Sequence, residues 1–317
     1  MRNIIWIALV VVLIIALVGI YMASVGLKKM EADLTKLAQR LDGEIQILNK
    51  KTAPFIDVGS AVGYVIEFEN GAKFYFAGDT GISADMKLVI GDYYKPDVAF
   101  LPIGNFYTMD PKAAAYAAKL INPARYVVPN HYASFPMLVQ DPTEFFTEVE
   151  KYGLRAKPLK FEVGVEQEVM GVKVLWLGHG DWLFTSLEGT KILIDPEVEY
   201  NFAYPEEYKD LTKFERIDLI LITHGHFDHM TIPDLRKWNA LYEPIYITPY
   251  EAGIWLKEAL PYRDIVAVNK GSNIGKTEML KIGMPAEKVE KIADIRIHMV
   301  SACHSSSATP EGLPARY

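Results

Sequence analysis

The sequence predicts an α+β domain of two β-sheets with helices outside them, preceded by a transmembrane helix and a helical stalk. Three observations carry that expectation. Hairpin signals and helical stretches are mixed along residues 53–317, which does not fit a purely parallel sheet. Residues of metal-ligating type fall just past the ends of β-rich apolar runs. Residues 4–25 are apolar or small and carry no charge.

That last run comes first in the chain. A bilayer-spanning helix needs about 20 such residues. A signal peptide has a shorter apolar core and a small-residue cleavage site, which Met22-Ala-Ser-Val-Gly26 imitates poorly. Residues 1–26 are therefore expected to be an uncleaved single-pass anchor in the lipid bilayer. Lys28, Lys29, Lys36 and Arg40 outweigh Arg2, which favours a cytoplasmic domain. In the following segment, 27–52, Leu27, Met30, Leu34, Leu37 and Leu41 keep coiled-coil spacing, and Ile45 and Leu48 follow after a stutter. Two readings stand: a stalk that joins copies into a homo-oligomer, or one amphipathic helix lying on its own domain or on lipid. Residues 50–54, ending at Pro54, form the linker.

In the globular part, 53–317, residues 64–69 read as a strand, and Asn70-Gly71 turns it into a second strand at 73–76. Residues 97–101 and 124–130 are further strands, and 111–120 and 143–151 are helical. A strand is expected at 161–169, Gly171 starts a hairpin to Val174, and the run 174–178 leads to His179. Glu188-Gly-Thr190 turns into a strand at 191–194. The runs 217–223 and 295–303 read as strands, and 233–241 and 250–260 as helices.

Composition removes some functions. Lys plus Arg number 33 against 40 Asp plus Glu, a net charge of −7, so no basic surface invites nucleic acid. The single cysteine, Cys303, rules out an internal disulfide and is expected to be a small buried residue beside His304.

The chemistry concentrates in one loop, His224-Gly-His-Phe-Asp-His229, directly after the run 217–223. Three imidazoles and a carboxylate, from His224, His226, Asp228 and His229, suit Zn, Fe or Mn and have no packing role as a cluster. The chain has seven histidines, and three more follow strand-like runs: His304, His131 and His179. Asp79 stands in the same position after residues 73–78. In layered α/β folds, ligands gather at one set of strand ends. His298 lies within a strand on the polar face with Arg296 and reads as an ordinary surface histidine.

These residues resemble a known group. His224-Gly-His-Phe-Asp-His229 matches the His-x-His-x-Asp-His signature of the metallo-β-lactamase superfamily. Trp176-Leu-Gly-His179, Lys191-Ile-Leu-Ile-Asp-Pro196, Cys303-His-Ser-Ser306, Ala77-Gly-Asp-Thr-Gly81 and Val128-Pro-Asn-His-Tyr132 resemble further motifs of a lactonase-like, metal-dependent hydrolase branch. The resemblance implies an αββα four-layer sandwich. The halves stand in exchanged order: residues 53–170 are similar to the family's C-terminal half and 171–317 to its N-terminal half, which reads as a circular permutation. Such an exchange is tolerated where chain ends are close and exposed. Alternatively, each half pairs with the complementary half of a neighbouring chain.

Carried over, the family roles put one divalent ion on His224, His226 and His304, a second on Asp228, His229 and His131, and Asp79 between them. Zinc is expected first, with manganese or iron as alternatives. Two close ions lower the pKa of a shared water, which then attacks as hydroxide near neutral pH. Asp228 could also orient that nucleophile. His179 matches no metal motif; it could donate to an oxyanion or brace a ligand, or simply bond backbone at a strand end. The resulting expectation is a membrane-anchored binuclear hydrolase of an ester, lactone, amide or phosphodiester, acting on a small-molecule or lipid-like substrate. The alternatives are a di-iron oxidoreductase and an oligomeric assembly protein with a vestigial site.

Overall fold

Strand β2 (Val62–Glu67) is buried on both faces, as a central strand must be, and it organises one of the two large sheets. The computed structural model describes residues 55–260 and 264–309. The expected anchor and stalk lie outside the described residues, and among the described residues no helix is long and apolar enough to cross a membrane.

The first half supplies β1 (Ile56–Asp57), β2, β3 (Lys73–Phe76), β4 (Val98–Pro102), β5 (Tyr126–Asn130) and β6 (Lys157–Pro158), with helices α1 (Pro111–Ile121) and α2 (Thr143–Lys151). The second half supplies β7 (Glu166–Val169), β8 (Val172–Trp176), β9 (Trp182–Thr185), β10 (Lys191–Ile194), β11 (Leu219–Leu221), α3 (Ile232–Tyr242), β12 (Ile245–Pro249), α4 (Tyr250–Ala259) and β13 (Ile265–Val268). It closes with β14 (Asn273–Ile274), α5 (Lys276–Lys281), α6 (Ala286–Val289), β15 (Arg296–Ser301) and β16 (Ser307–Ala308). One seven-stranded sheet runs β13-β12-β11-β10-β9-β8-β7, and the other β14-β15-β2-β3-β4-β5-β6. The second half thus lends β14 and β15 to the first half's sheet, with β15 antiparallel to β2 from Arg296↔Glu67 to Ser301↔Val62.

Period-two alternation decides which core each side chain joins. In β10, Ile192 and Ile194 enter the large core that also contains Phe74 and Phe100 of the other sheet, whereas Leu193 faces Trp238 of α3 and Leu256 of α4. Leu219 and Leu221 against Ile220 repeat the pattern in β11. Aromatic rings meet across the sheets edge to face, Phe100 on Trp182 at 4.9 Å and Phe74 on Phe184 at 5.9 Å. Helices therefore lie outside two facing sheets, an α/β fold with mixed sheets.

Strand direction then positions the chemistry. Within one sheet β3, β4 and β5 are parallel, and β15 has the same sense because it and β3 both run antiparallel to β2. In the other, β10 and β11 are parallel, and β8 has their sense because it and β10 both flank β9 antiparallel. Asp79, His131 and His304 therefore follow like ends of one sheet, and His179, Asp195 and His224 like ends of the other.

Three expectations need correction. The strand expected at 161–169 forms only at Glu166–Val169, because Gly164 turns at φ +78° and bonds through its N–H to the Trp176 carbonyl. His298 is not an open surface residue: its ring packs 4.9 Å from Tyr94 and its Nε2 lies 3.7 Å from Glu67. Tyr94 ends a π-helix, Met86–Tyr94, that the sequence pattern does not signal. Cys303 is exposed, not buried.

Candidate metal centre

Every candidate residue is delivered by a turn that follows a strand. His131 and Asp195 are the first residues past β5 and β10, and both take left-handed backbone conformations, at φ 56° and 47°. His179 does the same at φ 52°. Such conformations cost non-glycine residues of order 1–3 kcal/mol, and they cluster where side chains must be re-aimed. Glycine supplies the clearance. A Cβ on Gly104 would stand 2.4 Å from the His131 carbonyl oxygen, and one on Gly180 would stand 2.9 Å from His229 Cε1.

The structure brings all eight sequence-selected residues together. His224 Nε2 and His304 Nε2 lie 3.0 and 3.2 Å from His226 Nδ1. Asp79 Oδ2 stands 3.1 Å from His131 Nε2, 3.4 Å from His229 Nε2, 3.7 Å from His304 Nε2 and 3.9 Å from His224 Nε2. Asp228 Oδ2 is 3.8 Å from both His131 Nε2 and His229 Nε2. Donor atoms of His131, His179, Asp228 and His229 all lie within 4.8 Å of one another, as do those of His224, His226 and His304 and those of Asp79, His224 and His229. His179 bonds side chains instead of the backbone alone. Its Nε2 is 3.1 Å from Asp228 Oδ2 and its Nδ1 2.5 Å from Ser134 Oγ.

A buried relay assigns the tautomers. Asp195 accepts from the Thr223 N–H at 2.7 Å, from Thr223 Oγ1 at 2.6 Å and from His229 Nδ1 at 2.8 Å. Thr223 Oγ1 has one proton and spends it on that carboxylate, so it accepts from His224 Nδ1, 2.9 Å away. His224 therefore turns a bare Nε2 toward the centre, and His229 does so once it gives up the proton that its raised pKa retains. A carboxylate behind the ligands that bonds one imidazole nitrogen and leaves the other to face the site is a recurrent support for metal ligands. Sequence reasoning missed Asp195, Thr223 and Ser134 as supports. Asp195 carried the same signal as Asp79, a carboxylate just past an apolar strand.

The nitrogens of His224, His226 and His304 fit a cation. Nitrogens bound at roughly 2.0–2.1 Å around a tetrahedral ion stand about 3.3–3.4 Å apart. His229 Nε2 and Asp79 Oδ1 are buried and have no hydrogen-bond partner among the described residues, so the pocket holds a carboxylate lone pair, and a ring nitrogen once His229 is deprotonated, that a cation would satisfy.

Electrostatics divide the ligands. Burial drives His224 well below the usual imidazole range, and His226 and His304 down as well, which leaves them neutral and ready to coordinate. Burial also opposes charge on His131 and His229, but there the carboxylates win. The Asp79 charge, helped by hydrogen bonds that Asp228 and Asp79 accept, holds His131 up at about 9, and Asp79, Asp228 and Asp195 hold His229 well above its ordinary value. Asp79 and Asp228 sit well below the carboxylate range despite burial, because of His131 and His229 for the first and chiefly His229 for the second. His179 is pushed down to about 4, by burial first and then by His131. The negative field that retains protons on His131 and His229 would serve a divalent cation equally well.

The centre opens into a cleft of about 580 Å³ with apolar walls from Phe55, Tyr107, Phe135, Met137, Leu138 and Phe227.

Two domain families, each described as "Beta-lactamase superfamily domain", match residues 173–312 and 41–132. A UPF0173 metal-dependent hydrolase of Methanopyrus kandleri is 51% identical over 110 residues, 35% of this chain and 46% of that protein. One of Caldivirga maquilingensis is 44% identical over 134 residues, 40% of this chain and 58% of that protein. The chain spans about half the length of the curated relatives it matches. Among solved structures, Igni18, titled a novel metallo hydrolase from the archaeon Ignicoccus hospitalis, is 48% identical, covering 30% of this chain and 40% of that one with a TM-score of 0.28. The chain has a metallo-β-lactamase-like fold and homologues among the UPF0173 metal-dependent hydrolases.

Proposed function

We propose that this metallo-β-lactamase-like chain is a metal-dependent hydrolase of an ester, lactone, amide or phosphodiester, with two divalent cations at the strand-end centre. Zinc suits the donor set best, with manganese or iron as alternatives. His224, His226 and His304 would hold one cation, Asp228, His229 and His131 the other, and Asp79 would face both. The carrying observation is the convergence of three ring nitrogens: His224 Nε2 and His304 Nε2 stand 3.0 and 3.2 Å from His226 Nδ1. The names of the homologues point the same way.

When bound, two such cations supply Lewis acidity and a water acidic enough to attack near neutral pH. The chain's own residues do the rest. Asp228 accepts from His179 Nε2 at 3.1 Å, and Ser134 donates to His179 Nδ1, so the Asp228 carboxylate is held in one orientation toward the reacting centre. From there Asp228 can accept the proton of the attacking water and return it to the leaving group. Asp195 and Thr223 fix His229 and His224 in their ligating tautomers. The apolar cleft walls exclude bulk water, which strengthens each of these interactions.

Metal analysis of the gently purified chain should return about two divalent ions per chain. His226→Ala should abolish hydrolysis across a panel of chromogenic esters, lactones, amides and phosphodiesters. Because His226 is only half-buried, the variant should keep its fold, with stability changed by about 1 kcal/mol. Metal at trace level only, or full activity in His226→Ala, would end this reading.

We further propose a single-pass anchor over 1–26, a stalk over 27–52 that joins copies into a homo-oligomer, and a cytoplasmic domain. The support is the uncharged span 4–25, the heptad spacing behind it and the Lys/Arg excess on that side. We also read the halves as circularly permuted. In support, β1 and β16 pair with Ile56 opposite Ala308, so the two ends of the described domain are neighbours, as a permutation requires.

A further inference from the structure

The cleft beside the centre has a one-sided chemistry. Apart from the candidate ligands, His179 and a few small or hydroxyl residues, its lining is aromatic or aliphatic, and among the described residues it includes no lysine or arginine. The apolar lining continues onto an exposed rim. Tyr107 is 56% exposed, Met137 55% and Phe55 45%. Phe106, itself 73% exposed, packs on Tyr107 at 4.9 Å, and Phe202, 76% exposed, packs edge-on against Phe135 at 5.3 Å. Single exposed apolar residues need no explanation, but a contiguous group around a cleft mouth marks a surface that expects an apolar ligand.

We infer that the substrate is a neutral carboxylic ester or amide whose acyl group is apolar and lies along this cleft. This rests on the hydrolase reading above and narrows it. A cleft of about 580 Å³ takes a drug-sized ligand. Its wall offers an acyl chain continuous contact on Phe135, Leu138 and Met137. A charge at the scissile group itself would fall to the cations proposed for the centre, but a charge further along the acyl group would meet no lysine or arginine of the lining, and burying an unpaired charge is strongly unfavourable. Phe135 is also a positioning residue. Its ring stands edge-on to His179 at 5.2 Å, so the surface that seats the acyl group touches the side chain that orients Asp228.

The test uses the full chain in lipid nanodiscs, without detergent that would compete for the cleft. Rates are measured on p-nitrophenyl esters from acetyl to octanoyl and on bis-p-nitrophenyl phosphate. Affinities are measured separately, by calorimetry, for unhydrolysable 2-alkanones of rising length. Each added methylene should raise kcat/KM, and tighten the ketone Kd, about threefold to fourfold. Phe135→Ala and Tyr107→Ala, at positions that are half-buried and exposed, should flatten both slopes, and Phe135→Ala, which also removes the ring that packs on His179, should lower acetyl-ester kcat as well. Ester hydrolysis with no chain-length slope, or a preference for the phosphodiester, would overturn the substrate class and leave the hydrolase reading standing. No hydrolysis of any substrate, with ketones still binding along the expected slope, would overturn the hydrolase reading and keep the apolar ligand. Ketones that fail to bind would overturn the ligand class itself.

Discussion

Asp195→Asn is the sharpest probe of the centre, because it keeps shape and removes one acceptor. Asp195 accepts three bonds, at 2.6, 2.7 and 2.8 Å, from Thr223 Oγ1, the Thr223 N–H and His229 Nδ1. Two of them fall on Oδ2 and one on Oδ1. The asparagine oxygen will take the Oδ2 side and satisfy two donors, which sets the new NH2 against the Thr223 N–H. One buried donor left unpaired costs about 1–3 kcal/mol. Loss of the carboxylate also weakens the bond that fixes His229. Changes of this kind beyond the ligands cost roughly 10–100-fold in metal affinity, or about 1.4–2.7 kcal/mol. Total stability of a domain is about 5–15 kcal/mol, so the variant should still fold. Competition against a chelator of known affinity measures the second effect, and melting with and without metal separates the two, since metal stabilises in proportion to its affinity. A variant that melts lower but binds metal as tightly as the parent would refute the relay and leave Asp195 a purely structural residue.

Three further outcomes are expected. Metal binding should release protons, because His131 is held up at about 9 and His229 is also raised; affinity should therefore fall as pH drops below about 9, and calorimetry in buffers of different ionisation enthalpy would expose the released protons, while a buffer-independent heat would count against it. Gly104→Ala should cost about 1–3 kcal/mol and loosen metal retention, because its Cβ would press the His131 carbonyl from 2.4 Å, and an unchanged melt would contradict that packing. Removal of residues 1–52 should give a soluble domain that keeps its metal but loses its assembly, and equal particle masses for both chains by light scattering would dismiss the stalk as an assembly device.

The ligand candidates were legible because each is local: a histidine or aspartate beside the end of an apolar run, such as His131 after Tyr126–Asn130 or His224 after Leu219–Leu221. The helices were legible for a similar reason. Asp110 caps Pro111–Ile121 through a 2.7 Å bond to the Ala113 N–H, and that start is written in the sequence as Asp-Pro. What stayed hidden depends on distant partners. Nothing near Asp195 says that its acceptors would meet Thr223 and His229, twenty-eight and thirty-four residues on. The alternation that put His298 on a polar face is real, but Tyr94 arrives from another element to cover it. The strand Ile245–Pro249 is a short apolar run between two helices, a length at which periodicity cannot separate strand from helix.

The pairing of β1 with β16 gives the domain's doorway an unusual neighbour. Just past it, the Val58 N–H bonds the Ser306 carbonyl at 3.1 Å, and Ser306 Oγ accepts from the Gly225 N–H at 3.1 Å. Gly225 lies between His224 and His226, and Ser306 two residues past His304. A Cβ on Gly225 would meet Val58 Cγ2 at 2.2 Å, so the incoming chain is wedged against the loop that carries these histidines. Force applied to the chain ahead of Phe55, whether from a tether, a fused tag or a thermal tug, is thus felt first at the stitches between two ligand-bearing loops. Were the protein held from that side, its chemistry would be bent out of shape there first.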